Sequence, residues 1–159
     1  MDLNDPPVLI PQDRIAQRVA ELGRQISSDY AGSDELLLVG VLRGCYIFLS
    51  DLSRCLTLDR RIDFIAVSSY PNTLTQPGAV RLIMDIRTDI AGKRVLIVDD
   101  IVDTGFTLNY LVNSFMARGP ASLKTCILLR KKECLQTEVQ VDYLGFDIPN
   151  AWVVGYGLD

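Results

Sequence analysis

The sequence has 159 residues (17.7 kDa), 48% of them apolar, with a mean hydropathy of +0.20; this is enough for the core of one domain and lies outside the ranges of disordered or collagen-like chains. Its 16 basic and 20 acidic residues give a net charge of −4 without any Lys/Arg block, which argues against a nucleic-acid partner. It has no histidine, which removes His bases, His metal ligands and Ser-His pairs and leaves proton transfer to carboxylates or lysine.

After a start containing Pro6, Pro7 and Pro11, the residues Ile15, Val19, Leu22 and Ile26 recur at helical spacing and predict an amphipathic helix ending near Tyr30 and Gly32. Leu36 to Leu42 is apolar on both faces, as in a strand covered on both sides, and stops at Arg43-Gly44. Tyr46 to Leu56 suits a helix packed back on that sheet, and Ile62 to Val67 reads as the next strand. The stretch SSYPNTLTQPG, Ser68 to Gly78, holds too many breakers for a regular element and predicts a mobile loop between two strands. Val80 to Ile86 is a further strand, and Val95 to Val98 is a wholly apolar one ended by Asp99-Asp100. Leu108, Leu111, Val112, Phe115 and Met116 form a helical stripe that stops at Gly119-Pro120. Leu123 to Leu129 is another strand, and Tyr143 to Phe146 and Trp152 to Gly155 are short candidates.

This alternation predicts an α/β fold, a three-layer domain with a mostly parallel central sheet flanked by helices, as one unit over residues 1–159. Ligands of such sheets bind beyond the carboxyl ends of the strands, here just after Leu42, Val67, Val98, Leu129 and Val154. The longest apolar run, Leu36 to Leu42, is far short of the ~20 residues of a spanning helix, and the start Met1 to Asp5 lacks the positive charge of a signal peptide. The expectation is a soluble, cytoplasmic protein with no membrane partner. Cys45, Cys55, Cys126 and Cys134 lack C-x-x-C spacing and read as reduced, mostly core residues.

The most informative segment is VLIVDDIVDTGFTL, Val95 to Leu108. Two adjacent carboxylates end a buried strand, and Asp103-Thr104-Gly105-Phe106-Thr107 opens a helix. Free amides at a helix start, two hydroxyls and the room made by Gly105 form a cradle for a phosphate monoester; Asp103 or Thr104 acting only as a helix cap is the plainer alternative. Asp99 and Asp100 repel one another unless hydroxyls or a cation compensate them, so a ribose diol or Mg²⁺ is their natural partner.

This stretch resembles the phosphoribosyl-diphosphate (PRPP) motif of the type I phosphoribosyltransferases, and VGVLRGCYIF (39–48), VSSY (67–70), LLRKKE (128–133) and VDYLGFDIPNAWVVGYGLD (141–159) extend the likeness to that family's 6-oxopurine members. The resemblance implies purine salvage: hypoxanthine or guanine plus PRPP giving IMP or GMP plus diphosphate, with Mg²⁺ as cofactor, in a homodimer or homotetramer. It further implies a small hood built from the N- and C-terminal segments and a flexible lid at about 68–80, led by Ser69 and Tyr70, which also face the diphosphate.

Residue by residue, the resemblance assigns the ribose hydroxyls and Mg²⁺ to Asp99 and Asp100, where the family usually has Glu then Asp, and the 5′-phosphate to Asp103, Thr104, Gly105, Phe106 and Thr107. Arg43 and Gly44 fall in the diphosphate loop, where the family carries a strained, often cis, peptide. Asp103 is the candidate general base, taking a proton near N7 of the purine. Lys131 matches the lysine that donates to the exocyclic 6-oxygen; Lys132 is its neighbour, but the unbroken spacing to Asp159 selects Lys131. Trp152 matches the residue that stacks on the purine and Val153 the one whose backbone reads the ring edge, with Ile101 on the purine side. Asp159 is matched to a second Mg²⁺ or the base pocket. The family pattern continues with a tail carrying an aromatic residue and a diphosphate-binding Arg, a contact these 159 residues are not expected to supply. Two readings stay beside this one: transfer to another purine such as xanthine, and a PRPP- or nucleotide-sensing regulator with weak or no turnover.

Overall fold

A computed structural model describes residues 7–70 and 78–158. In chain order the elements are α1 (Gln12–Asp29), β1 (Leu36–Leu42), α2 (Tyr46–Cys55), β2 (Arg60–Tyr70), β3 (Ala79–Met84), β4 (Arg94–Val102), α3 (Phe106–Met116), β5 (Ser122–Arg130), a 3-10 turn (Lys132–Cys134) and β6 (Tyr143–Asp147). The strands form one sheet in the order β3-β2-β1-β4-β5-β6, parallel throughout except for the antiparallel β2/β3 pair at one edge.

Alternation along the strands divides the core into two layers. Leu36 and Leu38 of β1, with Leu96 and Val98 of β4, pack under Val19, Leu22 and Ile26 of α1 and Phe48, Leu49 and Leu52 of α2. Leu37, Val39 and Val41, with Val95 and Ile97, face Leu108, Leu111 and Phe115 of α3. Both faces of the central strands are thus covered, which is why they read as unbroken apolar runs. Burying each of these large side chains contributes roughly 1.5 to 3 kcal/mol. Gly23 lets α1 lie directly on α2, since a Cβ there would stand 2.5 Å from Cβ of Cys55.

Several boundaries differ from the expectation. β2 runs on through Ser68, Ser69 and Tyr70 because β3 supplies antiparallel partners, Ser69 opposite Val80 and Tyr70 opposite Ala79. The first three residues of the expected loop are therefore strand, Gly78 at its other end is a turn, and 71–77 lie outside the described residues. β3 stops at Met84, two residues before Ile86. Trp152 to Gly155 is not a strand; only Gly155 makes an isolated bridge, to Leu158. No helix of the described residues is long and apolar enough to cross a membrane.

β1 and β4 are neighbours, yet the chain proceeds from β1 toward one edge of the sheet and from β4 toward the other. The crevice between their carboxyl ends is the point where strand order reverses, the place where open α/β sheets bind ligands.

Candidate active site

Two loops meet at that crevice. The first leaves β1 through a cis peptide bond between Leu42 and Arg43 and enters α2 with the amide of Tyr46 donating to the carbonyl of Arg43 at 3.3 Å. The second is the end of β4. Asp99 is buried and Asp100 half-buried, and their carboxyl groups are near enough to interact with one another. The carboxylate of Asp100 lies against Gly44: a Cβ on Gly44 would stand 2.0 Å from Oδ2 of Asp100. The first loop therefore needs a residue without a side chain here, and the two loops form one surface.

Each acid accepts a hydrogen bond from the amide that follows it, Asp100 N–H to Oδ1 of Asp99 and Ile101 N–H to Oδ1 of Asp100, both at 2.9 Å. Burial, and then the neighbouring carboxylate of Asp100, push the carboxyl of Asp99 well above the usual carboxylate range. Burial and the same two acids raise the Cys45 thiol to about 12, so Cys45 is an inert core group rather than a nucleophile. A cation or hydroxyl donors beside Asp99 would offset this penalty on its charged form.

Beyond Asp99 a cavity of about 340 Å³ opens over the 99–108 segment, with Ser69, Gly78 and Gln136 at its rim. Its floor is the start of α3. The helix begins at Phe106, two residues earlier than the apolar stripe indicates, because Gly105 serves as N-cap in a left-handed conformation (φ 89°) with no side-chain cap. Asn109 closes the first helical turn by donating to the carbonyl of Gly105 at 3.0 Å, while the first amides of a helix have no acceptor within it. Neither Asp103 nor Thr104 caps the helix, so these amides and the Thr104 and Thr107 hydroxyls are available to an anion. The turn is held from behind: amides of Gln136 and Thr137 donate to the carbonyl of Thr104 at 2.9 and 3.4 Å. Gly78 rests on the ring of Phe106, where a Cβ would approach to 2.6 Å.

Asp103 is half-exposed, its side chain 52% accessible, and forms an ion pair with Nζ of Lys131 at 3.1 Å. Lys131 is buried, and its amide donates to the carbonyl of Val102 at 2.9 Å, fixing the end of β5 to the end of β4. The amide of Ile148 in turn donates to the carbonyl of Arg130 at 2.9 Å, which leads the chain past Lys131 toward Trp152 and Val153. Trp152 is 83% exposed, free of the core, whereas Val153 packs against it.

The structure thus brings together Arg43, Gly44, Asp99, Asp100, Ile101, the 103–107 turn, Ser69 and Lys131 around one crevice. Trp152 and Val153 are not part of the cavity lining; they follow from Lys131 through the β5/β6 seam. Tyr70 is placed by its strand pairing alone, and Asp159 lies outside the described residues. Gln136, Thr137 and Gly78 support the site through backbone or close approach, and no sequence signal singles them out. Among the described residues no group of three or more His, Cys, Asp or Glu side chains is disposed to hold a metal ion. A pair of carboxylates nonetheless fits Mg²⁺, which commonly takes one or two protein carboxylates and completes its shell with substrate phosphates and water.

Comparison with known proteins gives a consistent result. The phosphoribosyl transferase domain profile matches residues 10–159. Hypoxanthine-guanine phosphoribosyltransferase of Dictyostelium discoideum is 48% identical over 155 residues, covering 96% of this chain and 86% of the relative. A crystal structure of a hypoxanthine-guanine phosphoribosyltransferase from Bacillus anthracis superposes with a TM-score of 0.91 at 40% identity, covering 97% of this chain and 90% of the other. A Trypanosoma cruzi hypoxanthine phosphoribosyl transferase, solved to study the role of its C-terminal region in oligomeric state and activity, superposes with a TM-score of 0.90 at 44% identity, covering 96% and 83%.

Proposed function

This chain belongs to the phosphoribosyl transferase family, and from that premise we propose that it transfers the phosphoribosyl group of PRPP to N9 of hypoxanthine or guanine, a purine salvage reaction yielding IMP or GMP. In the reaction the bond from C1 of the ribose to diphosphate breaks and the bond from C1 to N9 forms. The observation that carries the reading is the uncapped start of α3 in front of a cavity whose inner wall is the buried Asp99.

The 5′-phosphate sits on the amides and hydroxyls of the 103–107 turn, where the helix start favours negative charge. Asp99 and Asp100 accept hydrogen bonds from the ribose hydroxyls. The same two carboxylates would hold Mg²⁺, which supplies positive charge to the departing diphosphate. Arg43 offers its fork of donors to that diphosphate from the adjoining loop, and Ser69 and Tyr70 approach it from β2. The reacting carbon has oxocarbenium-like character and is open to attack by water, so turnover requires that water be kept from it.

On the base side, the Lys131 ammonium has protons to give and no lone pair to accept, so it selects a 6-oxo group over the 6-amino group of adenine. Its ion pair with Asp103 sets the two groups side by side, facing the adjacent O6 and N7 of the purine: O6 takes a hydrogen bond from Lys131 while Asp103 receives the proton released near N7 as N9 bonds to carbon. Trp152 stacks on the ring with Ile101 on its other side, and Val153 reads the edge through its backbone; Asp159 belongs to the same pocket or a second Mg²⁺. We place the protein in the cytoplasm, where its four unpaired cysteines stay reduced, as a homodimer or homotetramer.

Steady-state assays with PRPP, Mg²⁺ and four purines test this reading. Turnover is expected with hypoxanthine or guanine and not with adenine. A preference for xanthine would move the assignment to another base, and binding of PRPP without turnover of any purine would make the protein a sensor.

A further inference from the structure

Arg130 and Asp147 have no part in the chemistry above, yet they occupy the last positions of β5 and β6 and are direct register partners. Their side chains form a two-pronged pair, Nε to Oδ1 at 2.7 Å and Nη2 to Oδ2 at 2.9 Å. The Arg130 guanidinium holds the Asp147 carboxyl below the usual carboxylate range. Immediately beyond the pair the chain becomes functional on both sides: Lys131 follows Arg130, and the segment carrying Trp152 and Val153 follows Asp147.

The segment is anchored at Ile148, which is buried in the core, and at Val153, which packs against it, but nothing in the core holds Trp152 itself. β6 is a five-residue strand at the sheet edge, paired only with β5. Residues 148–153 have no regular structure, and the amide of Ile148 donates back to the carbonyl of Arg130. Trp152 is exposed, so packing does not set its direction. Exposed ion pairs contribute little to stability as a rule, but a two-pronged arginine pair fixes geometry.

We infer that the Arg130–Asp147 pair is a positioning device for the purine pocket: it locks the carboxyl ends of β5 and β6 together and thereby holds the Trp152 segment at a set distance from the Lys131 ammonium. This rests on the transferase reading of the site. The pair touches neither PRPP nor the reacting atoms, so its loss loosens the base subsite alone.

The test is steady-state kinetics of Asp147→Asn, Asp147→Glu and Arg130→Met, with thermal unfolding measured in parallel. Asp147→Asn and Arg130→Met are expected to raise KM for the purine about fivefold or more, since small misplacements of a binding group have large kinetic effects. Both should keep kcat and KM for PRPP within about twofold, the pattern of lost binding rather than lost chemistry. Asp147→Glu retains the carboxylate and should stay near the parent. Parent-like purine KM in both disrupted variants, all three constants moving together with the melting temperature, or Asp147→Glu behaving as Asp147→Asn would overturn the inference. A parent protein without activity on any purine would instead sink the reading on which it rests.

Discussion

Replacing Asp103 with Asn lowers kcat by about 10²-fold or more, the usual contribution of a positioned general base, while PRPP binding is retained. The amide keeps the size of the side chain but cannot take the purine proton. The turn should survive, because its backbone is held by the left-handed Gly105 and by the Gln136 and Thr137 amides on the Thr104 carbonyl rather than by the Asp103 side chain. Lys131 loses the counter-charge that faces it at 3.1 Å, so the purine KM changes as well. Single-turnover kinetics with saturating PRPP separates these effects, and an unchanged kcat would remove Asp103 from the chemistry.

Gly44→Ala is expected to reduce kcat/KM for PRPP by a similar factor for a different reason. The new methyl group would stand 2.0 Å from Oδ2 and 2.6 Å from Cγ of Asp100. Either the carboxylate turns away from the position proposed for the ribose and Mg²⁺, or the 43–44 loop withdraws from that proposed for the diphosphate; a misplacement of about 1 Å is enough to cost about 10²-fold. Because the loop is at the surface and Asp100 is only half-buried, the fold should tolerate the change, and purine binding measured by calorimetry should be affected far less than PRPP binding. Parent-like kcat/KM for PRPP would show that the two loops do not act as one surface.

What could be read from the chain depended on whether the chemistry was contiguous. The Val95 to Leu108 segment carries its strand, acid pair and glycine turn in one stretch, and Asp99 with residues 101–108 lines one cavity. The two-faced apolar runs of β1 and β4 were legible because both faces are covered. Contacts made by the sheet register were not: Lys131 meets Asp103 across the β4/β5 seam, and Arg130 meets Asp147 across β5/β6. Nothing in the spacing of those residues announces either pair. Trp152 to Gly155 has the residue types of a strand but no strand neighbour to pair with; its Val153 packs against the core while the Trp152 indole is left exposed. Conversely, Ser68 to Tyr70 reads as loop from its composition, yet β3 draws it into the sheet. In that case tertiary pairing outweighs local preference.

The most direct measurement is a crystal structure of the protein grown with Mg²⁺ and PRPP or the nucleotide product. The sugar phosphate should lie over Gly105 with its phosphate oxygens within hydrogen-bond reach of the amides of residues 104–107, and its ribose hydroxyls on Asp99 and Asp100. A phosphate bound elsewhere, with that turn vacant at saturating ligand, would contradict the account.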